Sequence, residues 1–201
     1  MTLVAGVATF IFGLMLGMVL YVTNEPLMLK NRFIYTIVGA FVNIFRSIPF
    51  IILIILLIPF TRAIVGTILG STAALPALII GAAPFYARMV ELGLREVDRG
   101  VIEAAESMGA TKWQIIYKVL FPEALPSLVS GITVTVVALI GYTAMAGVVG
   151  SGGLGTLAFL DGFQRSQNDV TFVATVMILV LVFIIQFIGD TLVAKIDKRS
   201  A

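Results

Sequence analysis

The sequence predicts an all-α polytopic membrane protein that forms a single transmembrane domain over residues 1–201. Two observations carry this prediction. Of the residues, 60% are hydrophobic and 12% are charged, and the mean hydropathy is +1.11, whereas soluble domains average roughly 45–50% apolar and about 25% charged residues. The apolar residues also form runs near the ~20 residues that a helix needs to cross a bilayer. We therefore expect five transmembrane helices in a lipid bilayer.

The five predicted spans follow the apolar runs in order. The first run begins next to Met1 and carries no charge, so we interpret it as a span; a signal peptide would have a basic start and a shorter core. Its abrupt start leads us to expect that the native N-terminus differs by a few residues. In the second run, proline lacks an N–H and clashes with the preceding turn, so Pro49 predicts a break. The predicted spans are residues 2–22, 33–60 with a break near 46–49, 73–94, 127–149 and 170–193.

Basic residues are distributed unevenly between the two sides of these spans. If the N-terminus is outside and the C-terminus is cytoplasmic, most of the 13 basic residues fall on the cytoplasmic side, where loops normally carry the positive excess. Arg62 and Arg165 would lie outside, and Arg46 within a span. We expect this orientation in a bacterial plasma membrane. The cytoplasmic residues would be Lys30, Arg32, Arg88, Arg95, Arg99, Lys112, Lys118, Lys195, Lys198 and Arg199.

The composition excludes several kinds of chemistry. The chain contains neither Cys nor His, which excludes a thiol nucleophile, a disulfide, a thiolate or imidazole metal site and a histidine base. The sequence has no Gly-Lys dipeptide, so it lacks a P-loop for nucleotide phosphates. The net charge of +2 is too small to indicate a nucleic-acid partner. We predict a protein that is not an enzyme, with no catalytic residue, metal or cofactor of its own.

The longest polar stretch, residues 95–126, separates the third and fourth predicted spans. Asp98 and Thr111 are residue types that cap helix N-termini, and Gly109 is suited to end a helix because glycine readily adopts the left-handed conformation. We expect a helix, a turn and an amphipathic helix projecting from the cytoplasmic face. The two predicted helices cover residues 99–108 and 112–120.

This stretch contains a spaced motif. Glu103-Ala104-Ala105 is followed by three residues, then Gly109, then nine residues, then Val-Leu-Phe-Pro ending at Pro122. The motif resembles the EAA loop of ABC-importer permeases, in which EAA, three residues, Gly and nine residues precede Ile-x-Leu-Pro. Val and Phe replace Ile and Leu conservatively. We call residues 95–126 the EAA loop; the alternative is an ordinary pair of capped helices.

The resemblance implies an ABC type I importer permease fold with external energy supply. In the resembling family, the EAA loop sits in a groove of a separate ATPase subunit, which binds ATP and Mg²⁺, and closure of two ATPases moves two permeases between inward-open and outward-open states. Small side chains at Ala104 and Ala105 would let the partner approach, Gly109 would set the angle between the helices, and Glu103 would supply a charge. Together with Pro122, these are the expected ATPase-coupling residues.

Further segments resemble the methionine-importer permeases. The resemblance implies a homodimer of permease subunits, two ABC ATPase subunits and an extracytoplasmic substrate-binding protein. Permeases for osmoprotectants and sulfonates share the glycine-rich segment, so one of those solutes is an alternative substrate, and a membrane scaffold without transport is a further alternative. The segments are residues 42–53, 58–62, 81–85, 87–91, 141–145 and 150–155.

Five residues are candidates for the substrate pathway. A zwitterionic thioether needs polar groups beside a soft apolar wall, and the fourth span offers Tyr142, Thr143 and the polarizable Met145. Arg46 is a charge within a span, which is costly and usually faces a bundle interior or an aqueous cavity, and Ser47 follows it at the predicted break. The alternatives are ordinary packing for the fourth-span residues and, for Arg46, a position at the membrane interface or pairing with a residue such as Glu91.

Small and glycine residues predict two further features. Pairs spaced four apart, Gly13/Gly17, Ser127/Gly131 and Ala146/Gly150, are typical of helices that pack closely in lipid. The glycine-rich residues 150–155 predict an outer turn where a binding protein could dock. The charges expected near that turn are Asp161, Arg165 and Asp169.

Overall fold

The computed structural model describes residues 1–197, and within this range the chain is helical with no β-strand. Lys198 and Arg199, counted above as cytoplasmic charges, lie outside the described residues. In chain order the helices are α1 (Thr2–Asn24), α2 (Arg32–Ser47), α3 (Phe50–Leu56), α4 (Ile58–Val65), α5 (Leu75–Arg95), α6 (Arg99–Ser107), α7 (Lys112–Ile115), α8 (Phe121–Val148), α9 (Leu154–Thr156) and α10 (Asn168–Ile196).

Four helical stretches are long and apolar enough to cross a membrane, and a bent helix pair is a fifth candidate. The stretches are α1, α5, a continuous 37-residue helix Lys112–Val148 that contains α7 and α8, and α10; the bent pair is α2 with α3. α5 is the most buried of the four stretches and α10 the least. The bundle is therefore built around α5, with one face of α10 left for lipid or another chain.

α1 and α5 approach each other closely through small residues. A β-carbon added at Gly17 would lie 2.5 Å from both the Ala87 carbonyl oxygen and the Val90 Cβ, and one at Gly13 would lie 2.9 Å from the Ala83 oxygen. Glycine is thus needed at both positions because the α5 backbone occupies the space of a side chain. The predicted close packing at the Gly13/Gly17 pair is present.

α8 also packs on α5, although only one of its two predicted small-residue pairs contributes. A β-carbon at Gly131 would lie 3.0 Å from Met89 Cβ, on the face predicted from Ser127/Gly131. The Ala146/Gly150 prediction was wrong, because α8 ends at Val148 and Gly150 lies in a turn with φ +88°. Gly147 makes the close approach instead, where a β-carbon would lie 2.5 Å from the Gly155 carbonyl carbon.

The second predicted span is broken at Pro49. α2 ends at Ser47, α3 begins at Phe50, and the two helices differ in direction by 106°. Ile48 has φ −80° and ψ 123°, and Pro49 has φ −55° and ψ 133°. These extended conformations follow from proline, which disfavours helical geometry in the residue before it. Ile48 and Pro49 thus turn the chain rather than kinking one helix.

The sequence predicted that the EAA loop ends at Pro122 and Pro126, between two separate helices. In the structure the chain stays helical through both prolines. The helix runs without interruption from Lys112 to Val148. Between α7 and α8, residues Ile116–Leu120 form a π-helical turn in which the Phe121 N–H bonds the Ile116 carbonyl, five residues back. This wider turn shifts the hydrogen-bond ladder just before Pro122, which lacks an N–H, so the helix continues past the proline.

Candidate functional site

The EAA loop folds as two capped helices joined by a glycine turn. The Asp98 carboxylate accepts from the Gly100 N–H at 2.7 Å. The Thr111 hydroxyl accepts from the Gln114 N–H at 3.4 Å, while the Thr111 N–H donates to the Gln114 side chain at 2.8 Å, forming a capping box. Gly109 has φ +82°, a conformation that costs other residues energy. Local chemistry therefore fixes the angle between α6 and the long helix.

The two alanines of the motif face opposite ways. Ile102 and Ala105 are buried against the rest of the fold, whereas Glu103 and Ala104 are exposed. Ala104 and Glu103 are thus free to meet a partner, whereas Ala105 lets α6 pack closely on its own subunit. Pro122 is exposed in the first turn of α8.

Three large side chains that are mainly apolar are exposed in the same loop as the motif. Met108 is 82% exposed, Trp113 75% and Tyr117 77%. They belong to the EAA loop, whose charged neighbours make it the most polar stretch of the chain. An exposed apolar patch with a polar rim is typical of a protein–protein interaction site. The exposed apolar side chains therefore favour a docking surface on the EAA loop.

Two of the five candidate pathway residues line one cleft beneath the α2–α3 bend. Arg46 and Tyr142 both contribute to its wall together with Phe50. The Tyr142 and Phe50 rings stack with centroids 4.6 Å apart and 6° between planes, and the Arg46 guanidinium carbon lies 6.0 Å from the centroid of the Phe85 ring. The cleft thus combines a cation with an aromatic wall. The Ser47 hydroxyl next to it donates to the Asn43 carbonyl at 2.8 Å.

The other two candidates lie elsewhere on α8. Thr143 is buried, its hydroxyl donates to the Ile140 carbonyl at 2.8 Å, and it lines a different cleft between α1, α8 and α10. Met145 is 47% exposed and does not line the cleft with Arg46. The structure therefore joins Arg46 with Tyr142 but not with Thr143. Within residues 1–197, no group of three or more Asp, Glu, His or Cys residues is placed to hold a metal ion.

The chain has clear relatives among membrane transport proteins. A family model described as "Binding-protein-dependent transport system inner membrane component" matches residues 10–200. The chain belongs to this family. It is therefore a transport permease subunit and not an enzyme.

Individual relatives of this permease are transport proteins as well. It is 63% identical over 180 residues to the "Methionine import system permease protein MetP" of Bacillus subtilis (strain 168), covering 90% of this chain and 81% of that protein. It is 50% identical over 199 residues to a "Probable D-methionine transport system permease protein MetI" of Vibrio cholerae serotype O1, covering 99% of this chain and 88% of that protein.

Solved structures match the permease over nearly its whole length. A structure of the MetNI methionine ABC transporter in an inward-facing conformation aligns with a TM-score of 0.95 and 49% identity, covering 98% of this chain and 91% of that chain. An amino acid ABC transporter aligns with a TM-score of 0.70 at 20% identity, which supports the fold alone. The type I importer permease fold expected from the sequence is confirmed.

The permease contains a buried carboxylate, Glu91, which the sequence suggested only as an alternative partner of Arg46. Glu91 is completely buried in α5 and forms ion pairs with Arg88 and Arg95. The Arg95 guanidinium also donates to the Tyr35 hydroxyl of α2 at 3.4 Å. The alternative in which Arg46 pairs with Glu91 is therefore not the arrangement in the structure. The signal was available, because Arg88 and Arg95 are three residues before and four after Glu91, on one helix face.

Proposed function

We propose that this permease carries methionine across the bacterial plasma membrane by alternating access, as the membrane-spanning subunit of an ATP-binding-cassette importer. The observation that supports this proposal best is the 63% identity to MetP over 90% of the chain. The match to the MetNI transporter, with a TM-score of 0.95, supports the same assignment. Osmoprotectant or sulfonate transport and a scaffold without transport are the alternatives.

We further propose the assembly that such a transporter requires. Two copies of the permease would bind two ABC ATPase subunits, which bind ATP and Mg²⁺, and a substrate-binding protein would dock outside at the glycine-rich turn. The N-terminus would be outside and the C-terminus cytoplasmic. The position of Arg95 and Arg99 in the EAA loop, with Arg88 two turns earlier in α5, supports this orientation, because cytoplasmic loops carry excess positive charge.

The coupling residues act through the shape of the EAA loop. Glu103 and Ala104 lie on the exposed face of α6 and would contact the ATPase, whereas the buried Ala105 would keep α6 close to its own subunit. Gly109 would hold the angle between the helices, and Pro122 would mark the point where the movement enters the membrane helix. A displacement of α6 by the ATPase would then be transmitted to the membrane helix α8.

The substrate pathway would use the Arg46–Tyr142 cleft, whose volume of about 20 Å³ must increase before methionine can enter. The Arg46 guanidinium offers a counter-charge for the methionine carboxylate, with Ser47 beside it, and the stacked Tyr142 ring offers an apolar surface for the thioether. Met145, exposed further along α8, would extend that soft surface. Because the Thr143 hydroxyl is already hydrogen bonded within α8, we expect its replacement to reduce uptake less than that of Tyr142.

Uptake measurements test the substrate. Radiolabelled methionine is supplied to cells that lack every other methionine importer, with and without this subunit, and with excess unlabelled osmoprotectant or sulfonate as competitors. We expect uptake of radiolabelled methionine to require the subunit. Excess unlabelled methionine should reduce this uptake, whereas excess osmoprotectant or sulfonate should not. Methionine uptake that is the same without the subunit would remove methionine as its substrate, and competition by another solute would favour the corresponding alternative.

A pair of matched glycine variants tests the coupling. Gly109 and Gly66 both follow a helix with positive φ, +82° and +80°, and neither has an atom within 4 Å of an added β-carbon. Gly109→Ala and Gly66→Ala therefore carry the same backbone strain, of about 1–2 kcal/mol, at opposite ends of the molecule. We expect only Gly109→Ala to lower ATPase association and uptake at normal membrane levels. Equal effects of the two variants, including normal uptake in both, would contradict the role of Gly109.

A further inference from the structure

The turn between α1 and α2, residues 25–31, is a fixed structure rather than a loose connection. The Glu25 N–H bonds the Tyr21 carbonyl at 3.0 Å, and the Asn31 N–H reaches back to the Thr23 carbonyl at 2.8 Å. The Asn31 side chain accepts from the first N–H groups of α2 at 3.1 Å and so caps that helix. We call residues 25–31 the α1–α2 turn. Because it is bonded to both helices, a displacement of the turn must move α1 and α2.

Three contacts attach the α1–α2 turn to the EAA loop. Arg99 at the start of α6 pairs with Glu25 at 3.5 Å. The Lys112 ammonium donates both to the Leu27 carbonyl and to the Glu106 carboxylate. It therefore joins the turn, α6 and the start of the long helix at one point.

The third contact is apolar. Met28 is buried in the same hydrophobic cluster as Ile102 and Ala105 of α6 and Ile115 of α7. Glu25 is only 9% exposed, so its carboxylate is poorly solvated and benefits from the Arg99 charge. The α1–α2 turn thus contacts both arms of the EAA loop through side chains far apart in sequence.

We infer that the α1–α2 turn is a second coupling element, which transmits displacement of the EAA loop to α2 and so to the Arg46–Tyr142 cleft. This inference rests on the proposed function. The first route runs along the continuous helix Lys112–Val148 to Tyr142. The second runs from Arg99 and Lys112 through the turn into α2, a 16-residue helix about 24 Å long that carries Arg46 in its last turn. The two routes reach two residues that line the same cleft, so that displacement of α2 and of the long helix changes the width of the cleft.

The function of the turn can be separated from ATPase docking by variants of the permease in the assembled transporter. Lys112→Met keeps the length of the side chain but cannot bond Leu27 or Glu106. Lys118→Met is the matched control, because Lys118 is exposed on the same long helix and its side chain has no hydrogen bond or ion pair within residues 1–197. We expect Lys112→Met to lower methionine transported per ATP hydrolysed by about fivefold, the lower end of typical coupling between sites, with ATPase association unchanged.

A charge exchange provides a second, independent variant. Glu25→Arg places two cations together and should reduce transport per ATP, whereas Glu25→Arg combined with Arg99→Glu restores an ion pair and should recover it. Transport per ATP that equals that of Lys118→Met in both Lys112→Met and Glu25→Arg would overturn the inference. Loss of ATPase association in these variants would also overturn it, because the contacts would then serve docking.

A spectroscopic measurement separates this inference from the identity of the solute. The chain has no cysteine, so a spin label at Ile44→Cys, exposed on α2, gives one distance between the two copies of the permease. We expect ATP to change this distance in the unmodified background and to change it much less with Lys112→Met. An equal change in both would refute the role of the turn. A normal distance change without methionine uptake in the otherwise unmodified permease would refute only the proposed substrate.

Discussion

Replacing Gly17 by alanine should destabilise the permease measurably, because α5 already occupies the space of the new methyl group. The added carbon would lie 2.5 Å from both the Ala87 carbonyl oxygen and the Val90 Cβ, whereas carbon atoms pack best about 3.5–4.0 Å apart. α1 must therefore move away from α5 by about 1 Å. Overpacking of this kind costs about 1–3 kcal/mol, and each kcal/mol lowers Tm by roughly 2–4 °C in a chain of this size.

The assay is thermal unfolding of the purified permease in detergent, followed by the fraction that stays monodisperse after heating. Gly6→Ala is the matched control on the same helix, because its β-carbon would meet only Leu139 Cδ2 at 4.0 Å. We expect Gly17→Ala to lower Tm by about 2–12 °C and Gly6→Ala to leave it nearly unchanged. Equal Tm values for the two variants would refute the close packing of α1 on α5.

Two further predictions concern charge and stacking. Glu91→Gln should lower the free energy of unfolding by about 1–3 kcal/mol, because Arg88 and Arg95 lose the buried negative charge and one of its two acceptor oxygens becomes a donor, although both arginines stay one-third exposed to water. The same denaturation assay on the exposed control Glu103→Gln should show a change below about 0.5 kcal/mol, and a similar loss in both would contradict the buried network. Tyr142→Leu removes the ring stack with Phe50, which is worth about 0.5–1.5 kcal/mol, and should raise KM for methionine uptake. Tyr142→Phe keeps the stack and should leave KM unchanged. Identical KM values for the two variants would exclude a role for the stack.

Features that depend on neighbouring residues could be predicted from the sequence. The caps at Asp98 and Thr111 and the turn at Gly109 were predictable because a capping side chain bonds backbone groups within three residues. Pro49 located the break in the second apolar run for the same reason. Its angle of 106° could not be predicted, because packing against other helices decides how far a broken segment turns.

Features that depend on distant contacts could not be predicted. Pairing of Glu25 with Arg99 spans 74 positions, and no periodicity links such residues. The continuity of the helix through Pro122 was missed for a different reason: a π-helical turn can absorb the missing N–H of proline, and propensities do not anticipate it. The cleft between Arg46 and Tyr142 depends on how α2, α3 and α8 assemble. The sequence could therefore suggest each of the two residues, but it could not show that they lie close together.

The unbroken helix Lys112–Val148 also has a consequence for the lipids that suit this transporter. Its 37 residues are about 55 Å long at 1.5 Å per residue, nearly twice the ~30 Å hydrocarbon thickness. The remaining roughly 25 Å of the helix extends beyond the hydrocarbon region as a rigid segment of fixed length. Thicker bilayers would shorten the projecting part or force a tilt, so acyl-chain length should alter how far below the membrane surface the ATPases are held.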